Sequence, residues 1–178
     1  MMVFEEAPLK GIWIITPRVI ADRRGYFMES FLKEALTSRV GPVEFVQENE
    51  SLSHFGVTRG LHYQRAPYAQ SKYIRVVEGE IFDVALDIRE GSATRGQFFC
   101  IHLDSVTKKQ LFIPGGFAHG FCVLSERAIV QYKTDIPYHP ESEGVFRFDS
   151  PSLGIPWPLP YEQMILSEKD FGAPPFAF

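Results

Sequence analysis

The sequence predicts an all-β fold, because its turn residues, its apolar content and the spacing of its apolar runs agree. Thirteen Pro and fourteen Gly divide the 178 residues into many short segments. Hydrophobic residues make up 45% of the chain and aromatic residues 14%, which is enough to build a buried core. Short apolar runs separated by turn residues are typical of a β-sandwich or barrel. We therefore expect strands over most of the chain and one domain over residues 1–178.

Composition also bounds the partners of the chain. The formal net charge is -4, and no basic stripe is present to neutralise a phosphate backbone, so we expect no nucleic-acid partner. The apolar runs are too short to cross a membrane, and the first residues lack a signal-peptide pattern, so we expect a cytoplasmic protein. Cys100 and Cys122 lie in apolar strand patterns without metal-binding spacing and are interpreted as small buried hydrophobic residues.

Strand patterns follow one another along the chain with few interruptions. Residues 9–20 predict a strand broken at Pro17, and residues 31–39 predict a short helix. From Lys72 the pattern indicates an antiparallel hairpin that turns at Gly79. Near the end of the chain, Ser167 is placed to cap a helical turn. Further strands are predicted over residues 26–30, 43–53, 58–64, 97–103, 109–113, 120–124, 128–133 and 144–148.

The most informative stretch is RGLHYQ, at residues 59–64, which holds a cation, an imidazole and an amide close together. Polar groups at the edge of an apolar core cost desolvation energy unless they are paired or used, so this cluster predicts a site. Strict alternation places Arg59 on the opposite strand face from His62 and Gln64. We therefore expect either a bulge at Gly60 or an Arg59 side chain that reaches in from the rim.

Two later residues have an unusual position for a charged or polar side chain. Lys72 shares a strand face with the apolar Ile74 and Val76, where a Lys is uncommon unless it meets an anion. Tyr132 shares a face with Val130, so we expect its ring to be buried and its hydroxyl to have a partner. Both residues are candidates for the same site.

Other polar residues offer contacts to a ligand. Arg24, beside the turn at Gly25, carries a planar guanidinium that matches phosphate oxygens. Gln47 and Asn49 lie two residues apart on a strand and so point the same way, where amides can contact hydroxyls or a base edge. The alternative interpretation, for the arginine and the amides alike, is an ordinary solvent-exposed surface.

Six short segments along the chain carry, in order, a resemblance to one protein family. They are RGYFMES at 24–30, FVQEN at 45–49, RGLHYQ at 59–64, AQSK at 69–72, IPGGFAHGF at 113–121 and LSEKD at 166–170. Together they resemble the dTDP-4-dehydrorhamnose 3,5-epimerases, and six ordered matches are highly specific. The resemblance implies a cupin-type jelly-roll β-barrel with a few short helices, a homodimer, and no metal or organic cofactor.

The resemblance also implies a substrate and a role for individual residues. The substrate is a dTDP-linked 4-keto-6-deoxy hexose that is inverted at C3 and C5, giving dTDP-4-dehydro-L-rhamnose. By matching motif, His62 resembles the general base, Asp170 its orienting partner, Tyr132 the opposing acid and Lys72 the cation beside the C4 oxygen. The implied substrate contacts are Arg24, Phe27, Glu29, Gln47, Asn49, Arg59, His119, Tyr138, Glu143 and Lys169.

These residue types suit the implied chemistry. Inversion next to a ketone removes a proton from one face and returns one to the other, through an enolate. A positioned base contributes roughly 100- to 10,000-fold in rate, and one fixed donor to the developing oxyanion adds on the order of 3 kcal/mol, so base and cation must act together. An unperturbed imidazole titrates near neutral pH, which suits His62. For Tyr132 we hypothesise that nearby cations lower the pKa of the phenol.

Three other functions stay open. The PGGFAH segment at 114–119 matches one half of a cupin metal motif, as in a dioxygenase, but residues 62–64 lack the second His and no carboxylate follows at ligand spacing. A sugar-binding cupin without catalysis would bind its ligand without proton exchange. A sister enzyme would epimerise one carbon or move the ketone. Glu50 and Pro137 stand where the family commonly has His and Tyr, which leaves open which carbons are inverted.

Overall fold

The computed structural model describes residues 2–177, and antiparallel strands are the main regular secondary structure in them. Its helices are α1 (Lys33–Val40) and α2 (Glu168–Phe171), with single 3-10 turns at Pro140–Ser142 and Tyr161–Gln163. The strands are β1 (Val3–Glu6), β2 (Trp13–Thr16), β3 (Val19–Asp22), β4 (Gly25–Met28), β5 (Gln47–His54), β6 (Thr58–Gln64), β7 (Lys72–Glu78), β8 (Glu80–Asp87), β9 (Phe98–Asp104), β10 (Gln110–Ile113), β11 (Phe117–Val123), β12 (Arg127–Thr134) and β13 (Glu143–Val145).

The strands form two large sheets and one separate hairpin. The larger sheet has the order β1-β2-β10-β7-β12-β5, and the smaller has the order β13-β6-β11-β8-β9. Strands β3 and β4 pair only with each other among the described residues. The fold is the expected all-β jelly roll, although the described strands form two separate sheets instead of one closed barrel. Within residues 2–177, no helix is both long and apolar enough to span a membrane.

The main core lies between the two sheets and follows the alternation of the strands. Ile74 and Val76 of β7 and Ile81 and Ala85 of β8 all belong to one buried cluster. Side chains two apart on a strand share a face, so these pairs project inward from opposite sheets. The expected shared face of Lys72 with Ile74 is confirmed, since Lys72 opens β7 at the cavity end of this row.

The predicted hairpin from Lys72 through Gly79 is wrong in its pairing, although its strands and its turn exist. β7 pairs with β10 and β12, whereas β8 pairs with β11 and β9 in the other sheet. The chain therefore crosses between the sheets at Gly79, where φ is +82°. The crossing lets both strands bury their apolar faces against each other, which a flat hairpin would not do.

A bulge in β6 resolves the expected conflict between Arg59 and His62. On β11, Phe121 pairs with Arg59 while His119 pairs with His62, so β6 has one extra residue in this interval. The extra residue shifts the alternation and brings Arg59 and His62 to the same cavity. Gly60 permits it, because its φ is +115° and a Cβ there would lie 2.6 Å from the Gly120 Cα.

The remaining local expectations are largely confirmed. Strand β2 ends just before Pro17, and β3 begins after it. Helix α1 covers most of the predicted helix. Ser167 caps α2, because its Oγ accepts a hydrogen bond of 3.1 Å from the Asp170 backbone N–H. Cys122 is buried as expected, whereas Cys100 is only partly buried.

We expect Gly60→Ala to destabilise the protein far more than Gly91→Ala. Both glycines have positive φ, but nothing lies within 4 Å of a Cβ at Gly91. The left-handed backbone alone costs a non-Gly residue about 1–2 kcal/mol, and the contact with Gly120 adds about 1–3 kcal/mol of overpacking at position 60 only. Urea unfolding measures the difference; equal losses for the two variants would contradict the close approach of β6 and β11.

Candidate active site

The two sheets enclose a polar cavity of about 330 Å³ at one end of the core. Both sheets and the loop after β12 contribute to its wall. The lining residues are Gln47, Asn49, Glu50, Ser51, Arg59, His62, Tyr63, Gln64, Gln70, Lys72, His119, Gly120, Phe121, Tyr132, Tyr138 and Glu143. Nine of the residues proposed from the sequence are therefore gathered in one place: Gln47, Asn49, Arg59, His62, Lys72, His119, Tyr132, Tyr138 and Glu143.

His62 and Asp170 form a close pair at the wall of the cavity. His62 Nε2 lies 2.5 Å from Asp170 Oδ1, and Ser167 Oγ donates to the other carboxylate oxygen at 2.8 Å. Burial acts to raise the pKa of Asp170, but the bonds from His62 and Ser167 outweigh it and leave that pKa below its ordinary value. Asp170 therefore stays ionised and fixes the imidazole, whose Nδ1 is left to accept a proton.

Tyr132 faces the cavity from the other sheet. It lies on β12, while His62 lies on β6, and both line the same space. The Tyr132 ring is half-buried and packs against the main core, and its cross-strand neighbour is Asn49. Burial raises the pKa of the phenol, and the nearby Arg59 only partly opposes this. The hypothesis that cations lower this pKa is therefore wrong, and the phenol keeps its proton at neutral pH.

Lys72 projects from the start of β7 into the same cavity. Its Nζ donates to the backbone oxygen of His62 at 3.4 Å, which links the two sheets at this end. Burial lowers the pKa of Lys72 to about 8, and the negative charges of Asp83 and Glu143 oppose a further fall. Lys72 therefore remains charged at neutral pH, although burial favours its neutral amine form.

Three further proposed residues form a hydrogen-bonded cluster at the mouth. Tyr138 donates its hydroxyl proton to Glu143 Oε2 at 2.7 Å, and Lys169 forms an ion pair with the same oxygen. Burial acts to raise the pKa of Glu143, but the bonds from Lys169 and Tyr138 outweigh it and leave that pKa lowered. Gln47 accepts a bond of 3.0 Å from the Tyr138 backbone N–H and so connects the cluster to β5.

A second imidazole–carboxylate pair lies behind the cavity. His119 Nε2 is 2.8 Å from Oδ2 of Asp83, a fully buried residue of β8. The sequence interpretation proposed His119 but not Asp83. A signal for Asp83 existed, because Asp83 alternates with Ile81 and Ala85 and so had to project into the core. Within residues 2–177, no three His, Cys, Asp or Glu side chains cluster in a way that could hold a metal ion.

Arg24, Phe27 and Glu29 lie apart from the cavity of this chain. Arg24 is at the tip of the β3–β4 hairpin, where its side chain is 84% exposed and pairs with Asp22 at 2.6 Å. Phe27 is 67% exposed, and Glu29 follows β4 at the surface. Their role as substrate contacts remains a prediction, because these three side chains do not line the cavity of their own chain.

Some cavity residues were not among the proposed contacts. Ser51 continues the inward face of Gln47 and Asn49 on β5, so the alternation could have identified it. Gln64 is buried and donates to the backbone oxygen of Tyr68 at 2.9 Å, which anchors the loop after β6. Gln70 reaches the cavity from that loop, whose path no strand periodicity predicts.

Comparison with known proteins identifies the family. Residues 6–177 match the family model for dTDP-4-dehydrorhamnose 3,5-epimerase. The chain belongs to this family. It is 48% identical over 169 residues to the dTDP-4-dehydrorhamnose 3,5-epimerase of Methanothermobacter thermautotrophicus, covering 94% of this chain and 90% of that relative. Members of the family are isomerases, and so is this chain.

Solved structures agree with the sequence match and support the cupin-like jelly roll. A dTDP-6-deoxy-D-glucose-3,5-epimerase of Legionella pneumophila, in complex with dTDP-4-keto-L-rhamnose, superposes with a TM-score of 0.94 at 45% identity, covering 98% of this chain and 93% of that chain. ChmJ, a 3'-monoepimerase of Streptomyces bikiniensis in complex with dTDP-quinovose, superposes with a TM-score of 0.89 at 32% identity, covering 96% and 86%.

We expect the Lys72 ammonium to titrate near pH 8, because burial disfavours its charge. Its Nζ resonance, followed by nitrogen-detected NMR, gives the midpoint. In Glu143→Gln the midpoint should fall further, since one of the two carboxylates that oppose the effect of burial is neutralised. A midpoint near the ordinary Lys value of 10.5 in the unmodified protein would show that the side chain is solvated.

Proposed function

We propose that the chain inverts C3 and C5 of a dTDP-linked 4-keto-6-deoxy hexose, with residues 1–178 acting as one catalytic domain. One observation carries the proposal: the imidazole of His62 and the phenol of Tyr132 line one cavity from opposite sheets, and Lys72 enters the same cavity. Inversion needs a base and an acid on opposite faces of one carbon, with a cation at the neighbouring oxygen. Family membership supports the substrate class.

His62 is the base in this proposal. Its Nε2 is held by Asp170, so Nδ1 takes the proton from the carbon, and the resulting imidazolium is stabilised by the adjacent carboxylate. Because Asp170 keeps a lowered pKa, it supplies that negative charge throughout the physiological range. Ser167 and the backbone of Gly60 also bond to Asp170, which fixes the pair before substrate arrives.

Lys72 stabilises the enolate oxygen. Loss of the carbon proton moves charge onto the C4 oxygen, and a cation in a partly desolvated site acts on that charge more strongly than it would in water. Lys72 meets this need because its pKa of about 8 still leaves it protonated at neutral pH. Either neighbouring carbon delivers its charge to this same oxygen, so one ammonium serves both inversions.

Tyr132 returns a proton on the opposite face. Its raised pKa keeps the phenol protonated until the enolate forms, and the enolate is basic enough to remove that proton. The adjacent charge of Arg59 then stabilises the phenolate. A second proton from solvent restores the phenol for the next turnover.

We also propose that the chain works as a homodimer in which the β3–β4 hairpin of one copy reaches the cavity of the other. The hairpin leaves Ile20, Tyr26 and Phe27 exposed, an apolar surface that solvent disfavours. Lys108 orients it, with Nζ 2.9 Å from the Tyr26 hydroxyl oxygen. In a symmetric dimer, Arg24 could then bind the pyrophosphate of the sugar nucleotide in the partner's site.

A single-carbon epimerase is the second candidate. It is supported by the likeness to the ChmJ 3'-monoepimerase. Both candidates share the base, the cation and the acid. They differ in which substrate hydrogens exchange with solvent.

Incubating the dTDP-linked 4-keto-6-deoxy hexose in heavy water tests both candidates. We expect deuterium at C3 and at C5 with the unmodified enzyme, and at one carbon only if the second candidate is correct. His62→Ala should lose exchange at both positions by roughly 100- to 10,000-fold, because it removes the base. Tyr132→Phe should lose product formation while His62 still exchanges the proton that it removes. NMR locates the label, and near-normal turnover by the His62 variant would contradict the assigned base.

A mixing experiment tests the exchanged hairpin. Arg24→Ala lacks the hairpin cation and His62→Ala lacks the base, so each homodimer should be impaired. Random reassortment of equal amounts makes half of the dimers mixed, and each of these holds one intact site, so activity should recover to about a quarter of the unmodified enzyme's. Activity that stays at the average of the two variants would mean that each cavity uses its own hairpin.

A further inference from the structure

Asp83 is a fully buried carboxylate that the proposed reaction does not yet use. It projects from β8 between Ile81 and Ala85, inside the main core, and is not part of the cavity wall. Its Oδ2 contacts His119, whereas its Oδ1 is buried without a hydrogen-bond partner among the described residues. A carboxylate with one unpaired oxygen is unfavourable in an apolar core, unless nearby positive charge compensates it.

The compensating groups lie on the cavity side of Asp83. His119 is the contact partner, and its ring also lines the cavity. Lys72 is close enough for the charge of Asp83 to act on it. Asp83 therefore stands behind two groups that face the substrate from β11 and β7.

We propose that Asp83 is a positioning residue, whose buried charge holds His119 and Lys72 as one paired donor site for the oxygen that becomes negative in the reaction. The carboxylate accepts the Nε2 proton of His119 and so leaves Nδ1 of that ring for the ligand. It also preserves the ammonium of Lys72 against the effect of burial. This inference rests on the proposed function, and it adds a second imidazole–carboxylate pair with a role distinct from that of His62 and Asp170.

The geometry favours this role over direct contact with substrate. Asp83 has no exposed surface, so its own charge is kept away from the enolate by the His119 ring. His119 and His62 are cross-strand partners on β11 and β6, which places the two pairs side by side in one sheet. The His62–Asp170 pair removes the carbon proton, and the His119–Asp83 pair positions the donors to the oxygen. The charged and titratable groups that share this region with Lys72 are Asp83, Glu143, Arg59, His62, His119 and Tyr132.

The test compares Asp83→Asn with Asp87→Asn in the dimeric, full-length enzyme. Asp87 is a matched control, because it is also fully buried on β8 but is bonded to Arg89, Ser92 and Thr94 outside the cavity. For Asp83→Asn we expect kcat and the rate of deuterium exchange to fall together by roughly 100-fold, with KM changed less than about threefold, since one fixed contribution to the oxyanion is lost. Asp87→Asn should lose stability while each folded molecule keeps its kcat.

A second measurement does not depend on turnover. The NMR titration of Lys72 Nζ should move to a midpoint below about 8 in Asp83→Asn and stay unchanged in Asp87→Asn. In a His119→Asn background, the effect of Asp83→Asn on kcat should shrink, because part of its action passes through that ring. Asp83→Ser, a smaller neutral variant, repeats the comparison if the amide fits poorly.

Several outcomes would overturn the proposal. One is an unchanged kcat in both neutral variants. Another is a lowered kcat with an unchanged Lys72 midpoint. The third is failure of both neutral variants to fold, which would give Asp83 a structural role instead of a positioning role. Failure of the proposed function is recognised separately, because the unmodified enzyme would then exchange no substrate protons. The Lys72 titration would still report on Asp83 in that case.

Discussion

Burial of charge between two β-sheets is the constraint on which the rest of this structure depends. Lys72, Asp83, Asp170 and Glu143 all lie where water is partly or fully excluded, and each has at least one contact that offsets its desolvation. The contacts join elements that are distant along the chain, such as β6 with α2 and β13 with α2. The same pairings that offset the cost of burying these charges therefore also bring the site residues together.

The fold could be predicted from the sequence where a local pattern decided it. Most strand positions, the break at Pro17 and the cap at Ser167 depend on residues close in sequence, and these predictions are confirmed, whereas β1 was not predicted. The pairing of β7 and β8 was not, since a turn at Gly79 fits a hairpin and a crossing between sheets equally well. Only the packing of two apolar faces against each other selects the crossing, and that is a property of the whole core.

How much of the site could be predicted differs from residue to residue. The resemblance proposed His62 and Tyr132 as site residues, and the structure adds what motifs lack, which is their placement on opposite sheets around one cavity. The direction of the Tyr132 pKa was mispredicted because a sequence reveals nearby cations but not the burial that outweighs them. Asp83 was not proposed as a site residue because it belongs to none of the family motifs, although it alternates with the buried residues Ile81 and Ala85.

The number of carbons inverted cannot be a property of the fold, since a 3'-monoepimerase superposes on this chain with a TM-score of 0.89. Nor can the oxygen site decide it, because enolates from C3 and C5 place their charge on the same C4 oxygen. What remains is how the sugar is presented to the base, since one imidazole reaches both carbons only if the ring can move within the cavity. That freedom depends on the side chains around the sugar. Tyr138 at the cavity wall is therefore better placed than His62 or Lys72 to set the difference between the two activities.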